Sequence, residues 1–229
     1  MNVAVMQPYL FPYIGYFQLI SASDLFLLFD DVAFIKRGYI NRNTILLDGQ
    51  PFRFTVPVPG ASQNKMIEEL SYSDDVQKVL KSISQSYSKS PYFNEVYPII
   101  ESVLCQEDRS IASLCLESYQ RIFSYLGYKK RFVKTSALDY CRNQTAEDRI
   151  IDLCKKYDAT SYINPIGGVD LYSIDHFKNA GLDLRFLKPE LVEYSQPTTK
   201  FVPGLSIIDV LMNCSQTEVN SLLSQYELV

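Results

Sequence analysis

Two adjacent carboxylates, Asp30 and Asp31, close the apolar run Leu25-Phe-Leu-Leu-Phe29. Side chains alternate across a strand, so one of the two must point beyond its tip whichever way the pleat falls. A carboxylate there can hold Mg²⁺, accept a hydroxyl or amine proton, or act as a general base. Shortly after come Lys36, Arg37 and Arg42, interleaved with Asn41 and Asn43. Those cations suit a phosphate or diphosphate, and the amides suit a developing oxyanion. The plainer alternatives are a strand end with solvated acids and a hairpin mouth with solvated cations.

Histidine chemistry has little to work with. His176 is the sole histidine, and it falls off the apolar face formed by Leu171, Ile174 and Phe177, which makes it a surface bystander. The five cysteines are an odd number with no C-x-x-C pair, so buried free thiols in a reducing compartment are expected and a zinc site is not. The aromatic balance is unusual, with 17 Tyr, 13 Phe and no Trp. Many tyrosines stand beside Pro or Gly, where a flat face and a hydroxyl can meet a base or a sugar.

These residues need elements to position them. Val3-Ala-Val-Met6 reads as a short strand, Gln7 to Tyr13 as a Pro-rich loop, 15–22 as a helix, and the run ending at Asp30 as a second strand. Together they make a βαβ unit that places Gln7, Tyr9, Tyr13 and Gly15 near the strand tips. Asp48-Gly49 is a two-residue turn signal within an alternating hairpin over 44–58. From Asp74 the period becomes helical: Val76, Val79, Leu80, Ile83 and Tyr87 share a face, and Ser90-Pro91 ends that helix. Helices at about 92–104, 110–126 and 145–157 follow, with a strand at 131–136.

Residues 160–165 read as a strand leading into Ile166-Gly167-Gly168-Val-Asp-Leu-Tyr172, with a helix from there to Asn179 and a strand at 182–187. Asn164, Gly167, Gly168 and Tyr172 thus fall at another strand tip. In the tail, Gln196 lies in a Pro-containing loop, and Asp209 and Asn213 lie i,i+4 on one helix face. The pattern predicts an α/β fold: a Rossmann-like, mostly parallel sheet with an embedded β-hairpin and a substantial helical part. Residues 1–229 are expected to form a single domain with a helical subregion at about 74–157. Ligands of such sheets bind beyond the carboxyl ends of the strands.

Composition narrows the partners. A hydrophobic share of 47%, a charged share of 21% and a net charge of -4 describe an ordinary globular chain with no footprint for nucleic acid. No stretch approaches the ~20 apolar residues of a membrane span, and no basic region precedes the first apolar run. A cytoplasmic location is expected.

Gln7-Pro-Tyr-Leu-Phe-Pro-Tyr-Ile-Gly-Tyr-Phe17, Tyr39-Ile-Asn-Arg-Asn43, Ser90-Pro-Tyr-Phe93, Phe201-Val-Pro-Gly-Leu-Ser-Ile-Ile-Asp209 and Tyr226-Glu-Leu228 together resemble the WbqC-like family over essentially the whole chain. The resemblance implies a bacterial enzyme of O-antigen, lipopolysaccharide or other surface-polysaccharide biosynthesis. It points to N-acylation of a nucleotide-linked amino sugar from a thioester of coenzyme A or an acyl carrier protein, with no tightly bound cofactor. In that reading Asp30, Asp31 and Asn41 carry the chemistry, and the other named residues bind substrate. The family's Lys-His pair is replaced by Lys78-Val79, so no role for that histidine carries over. A remoter similarity links the opening to nucleotidylyltransferases of the HIGH type, but Tyr13-Ile-Gly-Tyr16 stands in place of His-x-Gly-His. Mg²⁺-dependent nucleotidyl transfer and a non-catalytic scaffold in a polysaccharide assembly complex are the alternatives.

Overall fold

The computed structural model describes residues 1–229. The chain opens with β1 (Asn2–Met6), α1 (Ile14–Ala22) and β2 (Leu25–Leu28), then forms a hairpin from β3 (Arg42–Leu47) and β4 (Gln50–Thr55). Three helices follow, α2 (Gln77–Tyr87), α3 (Phe93–Leu104) and α4 (Ile111–Tyr125). The chain returns to the sheet with β5 (Arg131–Lys134), α5 (Ala146–Lys156), β6 (Ser161–Pro165), α6 (Ile174–Asn179) and β7 (Asp183–Pro189). It finishes with α7 (Ile207–Asn213), α8 (Gln216–Leu223) and β8 (Tyr226–Leu228).

The sheet has six strands in the order β5-β2-β1-β6-β7-β8, parallel throughout except where β8 runs antiparallel to β7. The order reverses at β1 and β6, the switch point at which ligands of doubly wound folds sit. There the two strands pair only at Asn2–Ser161 and Val3–Tyr162, whereas β1 and β2 stay in register from Val3–Leu25 to Met6–Leu28. Parallel strands covered on both faces read as continuous apolar runs, and every residue of β2 is buried. Val3, Val5, Leu25, Leu27 and Tyr162 face α5 and α6, packing with Ile150, Leu153 and Phe177. Ala4, Phe26, Leu28 and Ile163 belong to the larger core shared with α1, the helices α2 to α4, α7 and α8.

The hairpin turn falls on Asp48 and Gly49, with φ of 51° and 73°, the pair of positive values a type I′ turn demands. Residues 166–171 form a 3₁₀ turn before α6. Two details differ from the sequence expectation. The helix expected to run to Ser90 ends at Tyr87. Two elements follow α7. The first, α8, opens with a capping box in which the Ser215 hydroxyl accepts from the Glu218 amide at 3.2 Å and the Glu218 carboxylate accepts from the Ser215 amide at 2.7 Å. Of the cysteines, Cys115, Cys154 and Cys214 are buried free thiols, and burial pushes each up to about 12. Cys105 and Cys141 are exposed, contrary to the expectation that all five lie inside.

Candidate functional site

The loop after β1 is under backbone strain. Phe11 precedes a proline and is fully buried, yet its φ is 43°, in the left-handed region where a bulky residue costs roughly 1–3 kcal/mol. Its carbonyl accepts hydrogen bonds from Asn43 Nδ2 at 2.8 Å and Ser206 Oγ at 2.7 Å. The Pro12 carbonyl accepts from the Ile207 amide at 2.8 Å. The loop is thereby held between the hairpin mouth and the start of α7. On its other side, the Tyr119 phenol accepts from the Tyr9 amide at 2.9 Å and donates to the Tyr9 carbonyl at 2.6 Å.

This scaffolding presents Tyr9 and Tyr13 to a cavity of about 250 Å³ lined by Tyr9, Pro12, Tyr13, Tyr39, Asn43 and Gly204. The Tyr9 and Tyr39 rings stand 6.2 Å apart. Burial raises the pKa of the Tyr9 and Tyr13 phenols, and the neighbouring phenols add to the shift. Both therefore stay protonated near neutrality and can donate hydrogen bonds while offering a ring face. Gly15 makes room: a Cβ there would lie 2.4 Å from Tyr13 Cε2, so only glycine lets the ring lie over the first turn of α1. Tyr39 and Gly204 were not among the expected site residues, although both lie within motifs carried by the family resemblance.

The remaining expected residues fall into separate clusters. Asp30 and Asp31 are buried against the tip of the neighbouring strand β5. Asp30 accepts from the Ser136 amide at 2.9 Å and the Ser136 hydroxyl at 2.7 Å. Asp31 accepts from Thr135 Oγ1 at 2.6 Å, Tyr140 Oη at 2.7 Å and Arg142 Nε at 2.8 Å, with Arg149 Nη2 3.2 Å away. Neither aspartate lines the aromatic cavity. Beside them is Glu68, an exposed acid, whose carboxyl is pushed up by partial desolvation and by the two aspartates.

Arg42 turns back on its own chain, donating to the Gly38 carbonyl at 2.9 Å and to the Arg37 carbonyl. Lys36 is exposed. Asn41 ties the hairpin mouth together by donating to the Val56 carbonyl at 3.0 Å. At the β6 tip, Asn164 accepts from Tyr162 Oη at 3.0 Å, and Tyr172 meets the Tyr162 ring edge-on at 5.8 Å. Gly168 is required beside Asn164, whose Nδ2 would be 2.0 Å from an added Cβ, whereas Gly167 faces open space. Gln7 Oε1, at the tip of β1, is buried without a partner.

Asp209 is the hub of a third cluster. It is fully buried and accepts from Tyr87 Oη and Tyr194 Oη, both at 2.7 Å, and from Gln196 Nε2 at 3.0 Å. Burial raises its pKa although all three donors oppose the shift. Asn213 donates to the Asp209 carbonyl at 2.8 Å. His176 clamps α6 to α5, with Nδ1 3.0 Å from Glu147 and Nε2 3.3 Å from Asp148.

The chain is 28% identical over 217 residues to the uncharacterized protein Rv1507c of Mycobacterium tuberculosis, with 93% of each chain covered. No solved structure matches. No helix is long and apolar enough to cross a membrane. The sequence pattern of the WbqC-like protein family matches residues 7–221 and so takes in the strained loop, the hairpin, all three polar clusters and the aromatic cavity; the chain belongs to that family.

Proposed function

We propose that this protein is a transferase of surface-polysaccharide biosynthesis that N-acylates a nucleotide-linked amino sugar from an acyl thioester. The observation that carries the reading is the cavity lined by Tyr9, Tyr13, Tyr39 and Asn43, formed on the loop after β1. Ring faces that also carry protonated phenols match a sugar or nucleobase, which is flat on one side and rich in acceptors at its edge.

The sugar's amine attacks the thioester carbonyl carbon. A C–N bond forms, the C–S bond breaks, and the sulfur leaves as a thiol after taking up the proton that the amine gives away. Neutral phenols are suited to donate to the carbonyl oxygen as charge develops on it. The amine's proton passes to the departing sulfur, since neither Asp30 nor Asp31 lines the cavity. Asp31, held by two guanidiniums, and Asp30, held by the Ser136 amide and hydroxyl, fix the neighbouring β2 tip.

Thermal shift across nucleotide-linked amino sugars, acyl thioesters and ATP with Mg²⁺ tests this directly. A ligand at 100 times its Kd adds about 2.7 kcal/mol, equivalent to roughly 5–11 °C for a chain of this size. Amino-sugar binding with thiol release dependent on both substrates is expected. A response to ATP and Mg²⁺ alone, with pyrophosphate release, overturns the reading in favour of nucleotidyl transfer.

A further inference from the structure

A second cavity of about 250 Å³ lies on the other side of Tyr13. It shares Tyr13 and Gly204 with the aromatic cavity, but its walls are aliphatic and aromatic carbon, principally Ile14, Val192, Phe201, Leu205 and Leu222. Its roof is the irregular strap between β7 and α7. That strap is tied down by Gln196, which exchanges hydrogen bonds with Val202 at 3.0 and 2.8 Å, and by the Tyr194 phenol on Asp209. No lysine, arginine or histidine lines the cavity, and Glu190 does.

Gln18 forms part of the cavity wall. It lies on α1 and is 2% exposed. Its amide nitrogen donates to the carbonyls of Leu222 at 2.8 Å and Gln225 at 2.9 Å. Two carbonyls can face only the NH₂ end of an amide, so the orientation of this side chain is fixed and Oε1 is the free end. Oε1 is buried with no partner. No group in the cavity reaches it, so Gln18 closes the wall of this space rather than offering it a polar contact.

We propose that this cavity receives the acyl chain of the donor, and that the chain is short and uncharged. The assignment rests on the acyl-transfer reading for the identity of the occupant; the cavity's preference for such a chain stands on its own walls. At about 30 Å³ for each water-sized group, the space holds about eight non-hydrogen atoms. The absence of a lining cation and the presence of Glu190 select against an acidic chain. The shared Tyr13 places the carbonyl end of such a chain beside the sugar cavity, with the tail pointing under the strap.

The test is fragment binding followed by methyl NMR of the full chain, using butanamide, hexanamide, dodecanamide and hexanoate. Hexanamide is expected to shift the methyl signals of Ile14, Val192, Leu205 and Leu222, with hexanoate and dodecanamide at least tenfold weaker. Val192→Phe, which fills the space from the strap side, should weaken hexanamide at least tenfold while the fold persists by circular dichroism. Equal binding of hexanoate, insensitivity to Val192→Phe in a folded protein, or no methyl shift with any fragment overturns the proposal. Fragment binding without any acyl transfer leaves the pocket standing and removes the enzymatic reading instead. Acyl transfer with a chain-length preference unchanged in Val192→Phe does the opposite.

Discussion

Replacing Gly15 with alanine separates the stability of α1 from the shape of the site. The new Cβ would lie 2.4, 2.6 and 2.7 Å from Cε2, Cζ and Oη of Tyr13. Carbon atoms in ordinary contact stand about 3.5–4.0 Å apart, so the ring must move by roughly 1 Å or more. All three atoms belong to the far end of a side chain already 39% exposed, which can swing outward without backbone movement. The helix meanwhile exchanges a glycine for its best former, a gain of up to about 1 kcal/mol. The expected result is a Tm unchanged or raised by about 2–4 °C. The site loses one phenol donor and one ring face, together about 1–3 kcal/mol, or roughly 5- to 150-fold in affinity for an amino-sugar nucleotide that binds the native protein. A ligand-free readout accompanies it: peptide mapping after mild nitration should show faster modification of Tyr13 in the variant. A Tm fall of more than about 5 °C refutes the claim that Gly15 is needed only for the ring. An affinity within twofold of the native value refutes the placement of Tyr13 in the site.

Other perturbations follow from the polar clusters. Arg149→Met removes a largely buried partner of Asp31 and is expected to cost about 2–4 kcal/mol, whereas Arg142→Met, at a side chain 40% exposed, should cost about 1 kcal/mol or less; urea midpoints of the two variants decide, and equal losses refute the distinction. Asp209 has a folded pKa above its unfolded value, so its contribution is complete below the unfolded pKa and is lost as pH rises through the folded one. The stability advantage of the native protein over Asp209→Asn should therefore shrink as pH rises from about 4, the unfolded carboxyl's range, through the raised folded pKa, and a constant difference across chemical denaturation series counts against it. Asn43→Ala leaves the strained Phe11 carbonyl with Ser206 alone and should cost about 1–2 kcal/mol; double-mutant cycles with Ser206→Ala should show the two losses coupling, and simple additivity means the loop is not held jointly.

The opening βαβ unit was legible because its strands are unbroken apolar runs punctuated by Pro and Gly, and the hairpin because Asp48-Gly49 admits few other conformations. The sites were less so. Asp30 and Asp31 stand at a strand tip as expected, but what they meet depends on β5 being the neighbour of β2, and periodicity carries no information about strand order. Tyr140, Arg142 and Arg149 enclose Asp31 from more than a hundred residues away in sequence. Asp209 and Asn213 share a helix face as read, yet the Asp209 carboxylate points into the interior, where Tyr87 and Tyr194 receive it. Tyr39 and Gly204 are ordinary loop residues until the fold brings them beside Tyr13. The element α8 was readable from Ser215 and Glu218 alone, and β8 only from its pairing with β7.

The bonds on Asp209 also impose an order of events on the chain's assembly. Tyr87 and Asp209 are 122 residues apart, and the Phe11 carbonyl waits for Ser206 across 195. Synthesis proceeds from the N-terminus, at about 5–20 residues per second. For about 8–30 seconds at that rate the first loop and hairpin are therefore present without the segment that supplies Ser206, Gly204 and the buried carboxylate. During that interval neither cavity has its roof, and the strained turn at Phe11 has lost half of its restraint. The binding surfaces come into being only as the tail docks, so a nascent chain has no competent site to occupy before its sheet and helices are already in place.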